Sequence, residues 1–136
     1  MTNMTFRSPT AGLSILFQTL SVAPRLEILL ASGEGEACVC HLEAALGYRQ
    51  AFISQHLMAL REAGLLGTRR NGRYIYYRLE NRRILAVLTQ AGEMLGEAVL
   101  TQSLATAACE CPNCVTAKQA SSAANPINLI DLEKNQ

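Results

Sequence analysis

The arrangement that most limits the fold is a pair of helical patterns that meet at Gly47. Apolar residues recur at helical spacing over about 36–46, and again from about 50 to 62. Gly47 ends the first pattern, and Ala63-Gly64 closes the second. Two helices joined by a short turn that contains glycine are typical of a helix-turn-helix. The sequence therefore predicts such a unit in the middle of the chain.

A β-hairpin is predicted directly after this unit. Residues 65–70 form one predicted strand and residues 73–79 the other, with Asn71-Gly72 as a two-residue turn. Asn-Gly favours such a turn because both turn positions require positive φ. The second strand is rich in tyrosine, a good β-former. A hairpin that follows a helix-turn-helix predicts the wing of a winged helix.

Further helical patterns flank these elements. One covers about 10–20, and the next begins near Ser21, the predicted N-cap, and ends at the glycines of 33–35. An apolar stripe predicts a long last helix over about 81–106. Such a helix can pack on the first helix and still present apolar surface to a second subunit, so we expect a homodimer.

The predicted fold class is mainly α with a small β-hairpin, a homodimeric winged helix-turn-helix in the order α-α-α-α-β-β-α. A chain of 136 residues fits one such domain. We expect a flexible N-terminus over 1–9 and a winged-helix domain for DNA binding and dimerisation over 10–106. Residues 107–136 are expected to form a cysteine-containing C-terminal segment and a flexible tail.

Charge is distributed unevenly, although the net charge is only +1. Six of the ten arginines lie within 69–83, where Glu80 is the one acidic residue. A basic cluster on a winged helix predicts contact with nucleic acid. The sequence has no apolar run of about 18–20 residues and no basic-then-apolar leader, so we expect a cytoplasmic location and no membrane partner.

The five cysteines fall into two clusters, which is typical of metal ligands or redox sensors in a reducing compartment. Cys38 and Cys40 would point about 200° apart on an ideal helix. Two thiolates that share a tetrahedral ion must lie within roughly 4 Å of each other. We therefore expect the start of the third helix to be loose, or to be loosened by binding. Cys111-x-x-Cys114 has a spacing that chelates soft metals.

The combined pattern resembles the ArsR/SmtB family of metal-sensing repressors, over roughly residues 13–99. The residues that carry the resemblance are Ala37, Cys38, Val39, Cys40, His41 and Leu42, then Ile53, Ser54, Gln55, His56, Leu57 and Leu60, then Gly64, Leu65 and Leu66, then Gly72, Arg73, Tyr76, Tyr77 and Leu79. The resemblance implies a repressor that binds double-stranded operator DNA as a homodimer and leaves it when an ion binds.

The resemblance also implies which residues contact DNA, with the fourth helix in the major groove and the wing on the backbone or minor groove. The expected contacts are Arg49, Gln50, Phe52, Ser54 and Gln55 on the helix, and Arg69, Arg70, Asn71 and Arg73 on the wing. Phe52 can contact a thymine methyl group or simply pack within the protein. His56 is expected to be structural.

The resemblance implies a thiolate site at Cys38 and Cys40. Some family members carry a third cysteine at the place of Glu43, so here the missing sulfurs are expected from the C-terminal cluster. The expected ligands are Cys38 and Cys40 with two or three of Cys109, Cys111 and Cys114, within one protomer or across the dimer interface. The alternative is a separate chelate in the C-terminal segment, or thiols that are close together by chance. His41 could add a nitrogen ligand, but a surface position is expected.

The family's second site, an oxygen and nitrogen site on the last helix, is expected to be absent. Its places read Asn81, Arg83, Met94 and Glu97, and only Glu97 is a match. An all-sulfur set favours thiophilic effectors. Because five cysteines allow a four-sulfur site, they slightly favour Cd(II) or Pb(II) as the effector. As(III) is the next candidate, and Zn(II) or Hg(II) also fit.

Two other readings compete with the metal sensor. A thiol-redox or reactive-sulfur sensor of the same fold would join a cysteine near Cys38 or Cys40 to one in the C-terminal cluster. A dithiol oxidoreductase using Cys111 and Cys114 is disfavoured because no βαβ pattern surrounds the motif. We therefore expect a regulator and not an enzyme.

Overall fold

The structure is a computed structural model that describes residues 8–99, 109–116 and 119. Over residues 8–99 it contains five helices and a three-stranded antiparallel sheet, and residues 112–116 are also helical. The elements are α1 (Pro9–Leu20), α2 (Ala23–Ser32), β1 (Glu36–Cys38), α3 (Val39–Leu46), α4 (Gln50–Glu62), β2 (Leu66–Asn71), β3 (Tyr74–Leu79) and α5 (Arg83–Met94). The predicted winged helix-turn-helix is confirmed, with one strand more than the sequence analysis expected.

The helix-turn-helix forms where it was predicted. Gly47 ends α3 in the left-handed region, with φ of 76°, and its N–H donates to the carbonyl of Glu43 at 2.9 Å. The predicted inward face of α4, Ile53, Leu57 and Leu60, is fully buried. These side chains share one core with α2 and α3, so α4 is held by its apolar face and leaves its other face outward.

The wing, the hairpin of β2 and β3, differs from the prediction by one residue at its turn. Asn71 pairs with Tyr74, so the two loop residues are Gly72 and Arg73. Gly72 has a φ of 60°, whereas Asn71 and Arg73 do not have positive φ. A glycine at the first loop position fits a type II′ turn, which needs positive φ only there. The expected Asn71-Gly72 turn is therefore wrong.

Strand β1 occupies residues that were predicted as the start of the third helix, and that prediction is wrong. It pairs with β3 in antiparallel register, with Ala37 opposite Tyr77 and Cys38 opposite Tyr76. Strand β3 is thus the centre of the sheet, in the order β1-β3-β2. The edge of β3 that does not face β2 offers backbone hydrogen bonds, which the three residues of β1 cannot form among themselves. The strand brings the first cysteine to the middle strand of the sheet.

The N-terminal helices also begin differently from the prediction. Helix α1 starts at Pro9, one residue early, and is capped by the Ser8 side chain. Ser21 does not cap α2. Its hydroxyl instead donates to the Gln18 carbonyl at 2.7 Å and closes α1, while Val22 precedes α2 without a side-chain cap.

Helix α5 is much shorter than predicted within the part of the chain that the structure describes. It ends at Met94, and Gly96 has a φ of 74°. The N–H of Glu97 donates to the Gly92 carbonyl at 2.9 Å, and that of Gly96 to Glu93 at 3.1 Å, which is the Schellman pattern. The chain then folds back, so that Val99 lies against Gly92. The predicted continuous helix to 106 is wrong at this point.

Residues 100–108 lie outside the described residues, as do 1–7 and most of the predicted tail beyond 116. Within the described ranges, no single helix is long and apolar enough to cross a membrane, and only α1 and α2 taken together across an 89° bend meet that criterion of length and composition.

Candidate functional site

Cysteines from both clusters meet at one place. The Sγ atoms of Cys38, Cys40, Cys109 and Cys111 all lie within 4.8 Å of one another, and we call them the sulfur cluster. Three of them form a tight triangle. Cys40 lies 2.8 Å from Cys109, Cys38 lies 3.0 Å from Cys40, and Cys38 lies 3.5 Å from Cys109. Segments about 70 residues apart in sequence thus supply one set of soft ligands.

Cys38 and Cys40 converge because only one of them is in a helix. Cys38 ends β1 in an extended conformation and is the N-cap of α3, where its Sγ accepts the His41 N–H at 3.4 Å. Cys40 lies in the first helical turn. The 200° separation expected on an ideal helix therefore does not apply. Neither a loose helix start nor one that loosens on binding is needed to bring the two sulfurs together.

The thiols of the sulfur cluster differ in acidity. Burial, together with the neighbouring thiols, raises the pKa of Cys38 above its usual range and that of Cys40 to about 11. Burial also opposes ionisation of Cys111, but the Cys114 N–H and neighbouring thiols donate to its sulfur and lower its pKa to about 7. Cys111 is thus the most readily ionised of these three thiols, whereas an ion that binds Cys38 and Cys40 must displace their protons.

Tyr76 forms one wall of the sulfur cluster. It is fully buried, lies opposite Cys38 in the sheet, and packs with Cys109, Cys111 and Cys114. Burial raises the pKa of its phenol to about 12, so the ring remains neutral. An apolar wall excludes water, which strengthens the interaction of thiolates with a soft ion.

Cys114 lies beside the four sulfurs and not among them. Its Sγ is 3.4 Å from Nδ1 of His41, and burial raises its pKa. His41 is 1% exposed, so its expected surface position is wrong. Burial also lowers the pKa of His41 and favours a neutral ring. Among the described residues, its Nε2 has no hydrogen-bond partner.

The side chains expected to read bases lie at the start of α4. Arg49, Gln50 and Gln55 are exposed, and Ser54 is half-buried. Arg49 is the N-cap but makes no side-chain cap hydrogen bond, so its guanidinium is not used to cap the helix.

Phe52 packs within the protein. Its ring lies 4.9 Å from that of Tyr48 and 4.6 Å, edge-on, from that of His56. The Arg25 Nε donates to Nδ1 of His56 at 3.3 Å. His56 is thus engaged as a structural residue, and Phe52 keeps 38% of its surface exposed.

The wing presents Arg70, Asn71 and Arg73 to solvent. Arg69 is also exposed, but one edge and one face of its guanidinium are engaged. Its Nε and Nη2 donate to the Glu36 carboxylate at 2.8 and 2.9 Å. Its Cζ also lies 4.8 Å from the centre of the Tyr76 ring. The ion pair holds the pKa of Glu36 below its usual range.

A cavity of about 330 Å³ lies between the two candidate sites. Its lining residues are Cys38, Val39, Cys40, Gln50, Ser54, Arg73, Tyr74, Ile75 and Tyr77. One groove is therefore lined both by two cysteines of the sulfur cluster and by Gln50, Ser54 and Arg73 from the expected DNA contacts.

Sequence reasoning did not identify Glu36, Tyr76 or Asn113 as part of this region. Period-two alternation in β3 places Tyr74 and Tyr76 on the same face, and that pattern could have indicated a tyrosine wall. The N–H of Asn113 donates to the Tyr76 hydroxyl at 3.4 Å, a contact between segments far apart in the sequence. The contacts of Glu36 depend on β1, which was predicted as helix.

Comparison with known proteins agrees with this geometry. A family model described as bacterial regulatory protein, arsR family, matches residues 24–67. The crystal structure of the transcriptional repressor BigR from Xylella fastidiosa is 34% identical, with a TM-score of 0.59, over 62% of this chain and 87% of that chain. The chain belongs to the ArsR family. The resemblance noted in the sequence is thus confirmed.

Two curated relatives each match about half of the chain. The arsenic resistance transcriptional regulator of Pseudomonas putida is 50% identical over 66 residues, which is 48% of this chain and 52% of that protein. The arsenical resistance operon repressor of Escherichia coli is 49% identical over 65 residues, 47% of this chain and 56% of that protein. The chain spans about half the length of these relatives. They are transcriptional regulators rather than enzymes, as the sequence analysis expects.

Proposed function

We propose that this chain is a homodimeric repressor that binds operator DNA and releases it when a thiophilic metal or metalloid binds the sulfur cluster. As(III) is the first candidate effector. The observation that carries the proposal is the triangle of Cys38, Cys40 and Cys109, three buried or half-buried sulfurs within 3.5 Å of one another.

The triangle supports a three-coordinate ion better than a four-coordinate one. With metal–sulfur bonds of about 2.3 Å, tetrahedral angles separate two sulfurs by about 3.8 Å, and near-right angles separate them by about 3.3 Å. The observed separations of 2.8–3.5 Å lie closer to the second value. Cys111 is the candidate fourth ligand for Cd(II) or Pb(II). The sequence alone leaned towards those two ions, and the names of the two curated relatives add support for arsenic.

The route from ion to DNA begins at the junction of β1 and α3. An ion held by Cys38 and Cys40 fixes this junction, and an ion that also holds Cys109 clamps the C-terminal segment onto the sheet. Helix α3 leads through Gly47 directly into α4. A small rotation of α4 in each subunit misaligns the pair with successive major grooves, and a coupling of about 1–3 kcal/mol lowers operator affinity about 5- to 150-fold.

The dimer is proposed to form through α1 and α5. Leu13 and Phe17 on α1 are 50% and 55% exposed. Val87 on α5 is 40% exposed, and Leu95, the C-cap of α5, is 75% exposed. Large apolar side chains concentrated on two helices at one end of a fold are typical of an interface between subunits.

The test is a titration of the reduced full chain on a fluorescent duplex from the DNA upstream of its own coding sequence. Arsenite, Cd(II) and Pb(II) are added in turn to the wild type, Cys38→Ser, Cys111→Ser and Cys114→Ser. We expect arsenite to dissociate the wild-type complex at about one equivalent per protomer and Cys38→Ser to bind DNA without responding. Cys111→Ser should keep the arsenite response and lose that to Cd(II). Cys114→Ser is the matched control and should respond to arsenite like the wild type.

Two results would contradict the proposal. If the wild type binds this DNA and no ion releases it, the sensor function is wrong. If Cys111→Ser loses the arsenite response as completely as Cys38→Ser, the three-sulfur assignment is wrong and a four-sulfur site replaces it.

A thiol-redox sensor remains the second candidate because Cys40 and Cys109 lie only 2.8 Å apart. An added two-electron oxidant, such as diamide or a polysulfide, would accept two electrons and two protons as a bond forms between these sulfurs. This bond would clamp the same two segments. The same titration distinguishes the two candidates, because release by diamide or polysulfide without any response to ions favours the redox sensor.

A further inference from the structure

Arg69 lies between the wing and the sulfur cluster. It was expected to contact DNA, yet its guanidinium is bound by the Glu36 carboxylate on one side and by the Tyr76 ring on the other. Arg69 lies directly opposite Tyr76 in the sheet, and Glu36 lies two residues before Cys38. Both partners of this arginine are thus attached to the sulfur cluster.

The cysteine segment, residues 109–114, contacts both of these partners through one residue. The N–H of Asn113 donates to the Tyr76 hydroxyl at 3.4 Å. The Asn113 side chain also faces the Glu36 carboxylate and, after Arg69 and Arg78, has the smallest of the effects that lower the pKa of that carboxyl. The asparagine stands between Cys111 and Cys114, so anything that fixes those sulfurs also fixes its position.

We infer that Asn113 and Glu36 are positioning residues that carry the effect of a bound ion from the sulfur cluster to Arg69 in the wing. The inference rests on the proposed function. Ion binding fixes the cysteine segment, its asparagine steadies the carboxylate, and the carboxylate withdraws the arginine from DNA phosphate. The carboxylate occupies the Nε and Nη2 edge of this guanidinium and offsets the charge that would attract a phosphate.

The expected size of the effect is moderate. The Arg69 and Glu36 side chains are 41% and 24% exposed, and ion pairs at such positions are weak when they stand alone. Bidentate geometry and the aromatic face strengthen this pair. We expect this ion pair to contribute a factor of about five to the loss of DNA affinity, and the movement of α4 to contribute the rest.

The experiment measures the ratio of DNA dissociation constants with and without saturating arsenite, on the full chain, by fluorescence anisotropy. In Glu36→Gln and in Asn113→Ala we expect this ratio to fall about fivefold, with arsenite affinity unchanged. Arg70→Ala is the matched control, because Arg70 is the exposed neighbour of Arg69. It should weaken binding equally in both states and leave the ratio as in the wild type.

A second readout separates positioning from a general structural effect. The slope of log affinity against log salt reports the number of phosphate contacts. In the wild type it should be smaller by about one with arsenite than without, and in Glu36→Gln the two slopes should agree.

The outcomes are distinct from those that test the proposed function. If arsenite does not release DNA from the wild type, the proposed function fails. If it does, and both variants keep the wild-type ratio and slopes, the sensor stands and the link through Asn113 and Glu36 is wrong. Loss of arsenite binding in Asn113→Ala would also overturn the link, because that residue would then belong to the site itself.

Discussion

The Sγ atom of Cys40 lies 2.8 Å from that of Cys109, although 69 positions separate the two residues. The contact joins the first turn of α3 to the cysteine segment and places the two thiols where they can bind the same ion. We expect Cys40→Ser and Cys109→Ser each to weaken arsenite binding by roughly 100-fold, since each removes one of three ligands, and the double variant to be far less than additive.

The measurement is the ultraviolet absorbance of arsenic–thiolate bonds during titration of reduced protein. Cys114→Ser is the control, because Cys114 lies outside the group of four, and its affinity should stay within about threefold of the wild type. Additive losses in the double variant would show that the two sulfurs do not share an ion.

Much of this fold follows from local patterns in the sequence. The turn between α3 and α4 is determined by Gly47, whose left-handed conformation is easy only for glycine. The α4 pattern of Ile53, Leu57 and Leu60 predicts its buried face because the helical period alone determines it. The hairpin was located to within one residue because its glycine-containing turn and its β-forming residues are also local signals.

The parts that could not be predicted depend on distant contacts. Strand β1 forms because β3 has an edge to pair with, and no feature of three residues reveals that. His41 is buried because the cysteine segment covers it, about 70 residues later in the chain. The two cysteine clusters were expected to form one site, but the positions of their sulfurs depend on β1. The sequence therefore indicated which cysteines come together, but not that three of them form a triangle.

The end of α5 gives a prediction about stability. A Cβ built on Gly92 would lie 2.5 Å from Val99 Cγ2 and 2.9 Å from the Glu97 carbonyl oxygen. Because one of these atoms is backbone, the returning chain must shift. We expect Gly92→Ala to lower the free energy of unfolding by about 1–3 kcal/mol. Urea denaturation of the reduced protein measures it.

Gly12 is the matched control for this substitution. It lies in α1, and a Cβ there would meet nothing within 4 Å. Gly12→Ala should therefore raise the free energy of unfolding by up to about 1 kcal/mol, through helix propensity. Equal effects of the two substitutions would mean that the return of the chain over Gly92 is not part of the fold.

The two histidines of the chain give a prediction about acid. Burial lowers the pKa of His41 below 6.5, and burial with the nearby Arg25 charge does the same for His56. Below pH 6.5 the unfolded chain therefore binds protons that the folded chain does not. The free energy of unfolding should fall as the pH drops from 7.5 to 5.5, until the folded-state pKa values are reached.

Urea denaturation of ion-free protein at several pH values tests this dependence. His41→Gln and His56→Gln each remove one titrating ring, so each should flatten the dependence even if it also lowers stability at neutral pH. An unchanged slope in both variants would show that other groups cause the acid sensitivity.

The exposed apolar side chains of α1 give a prediction about assembly. Leu13 and Phe17 are four residues apart, so they share one face of the helix, and each is at least half exposed. Placing a charge in a buried interface leaves it without water or a partner. We expect Phe17→Glu to raise the dimer dissociation constant at least 100-fold, as measured by sedimentation velocity. Because a winged-helix dimer holds two half-sites, operator affinity should fall with it.

Met58 provides the control for this prediction. It is 62% exposed but lies on α4, away from the proposed interface. Met58→Glu changes the net charge of the chain as Phe17→Glu does. Because Met58 lies outside the proposed interface, this variant should leave the sedimentation of the dimer unchanged. If both variants sediment like the wild type, the subunits do not meet through α1. If the wild type is itself a monomer at micromolar concentration, two separate chains must occupy the operator. The ratio of bound to free operator should then rise with the square of the protein concentration.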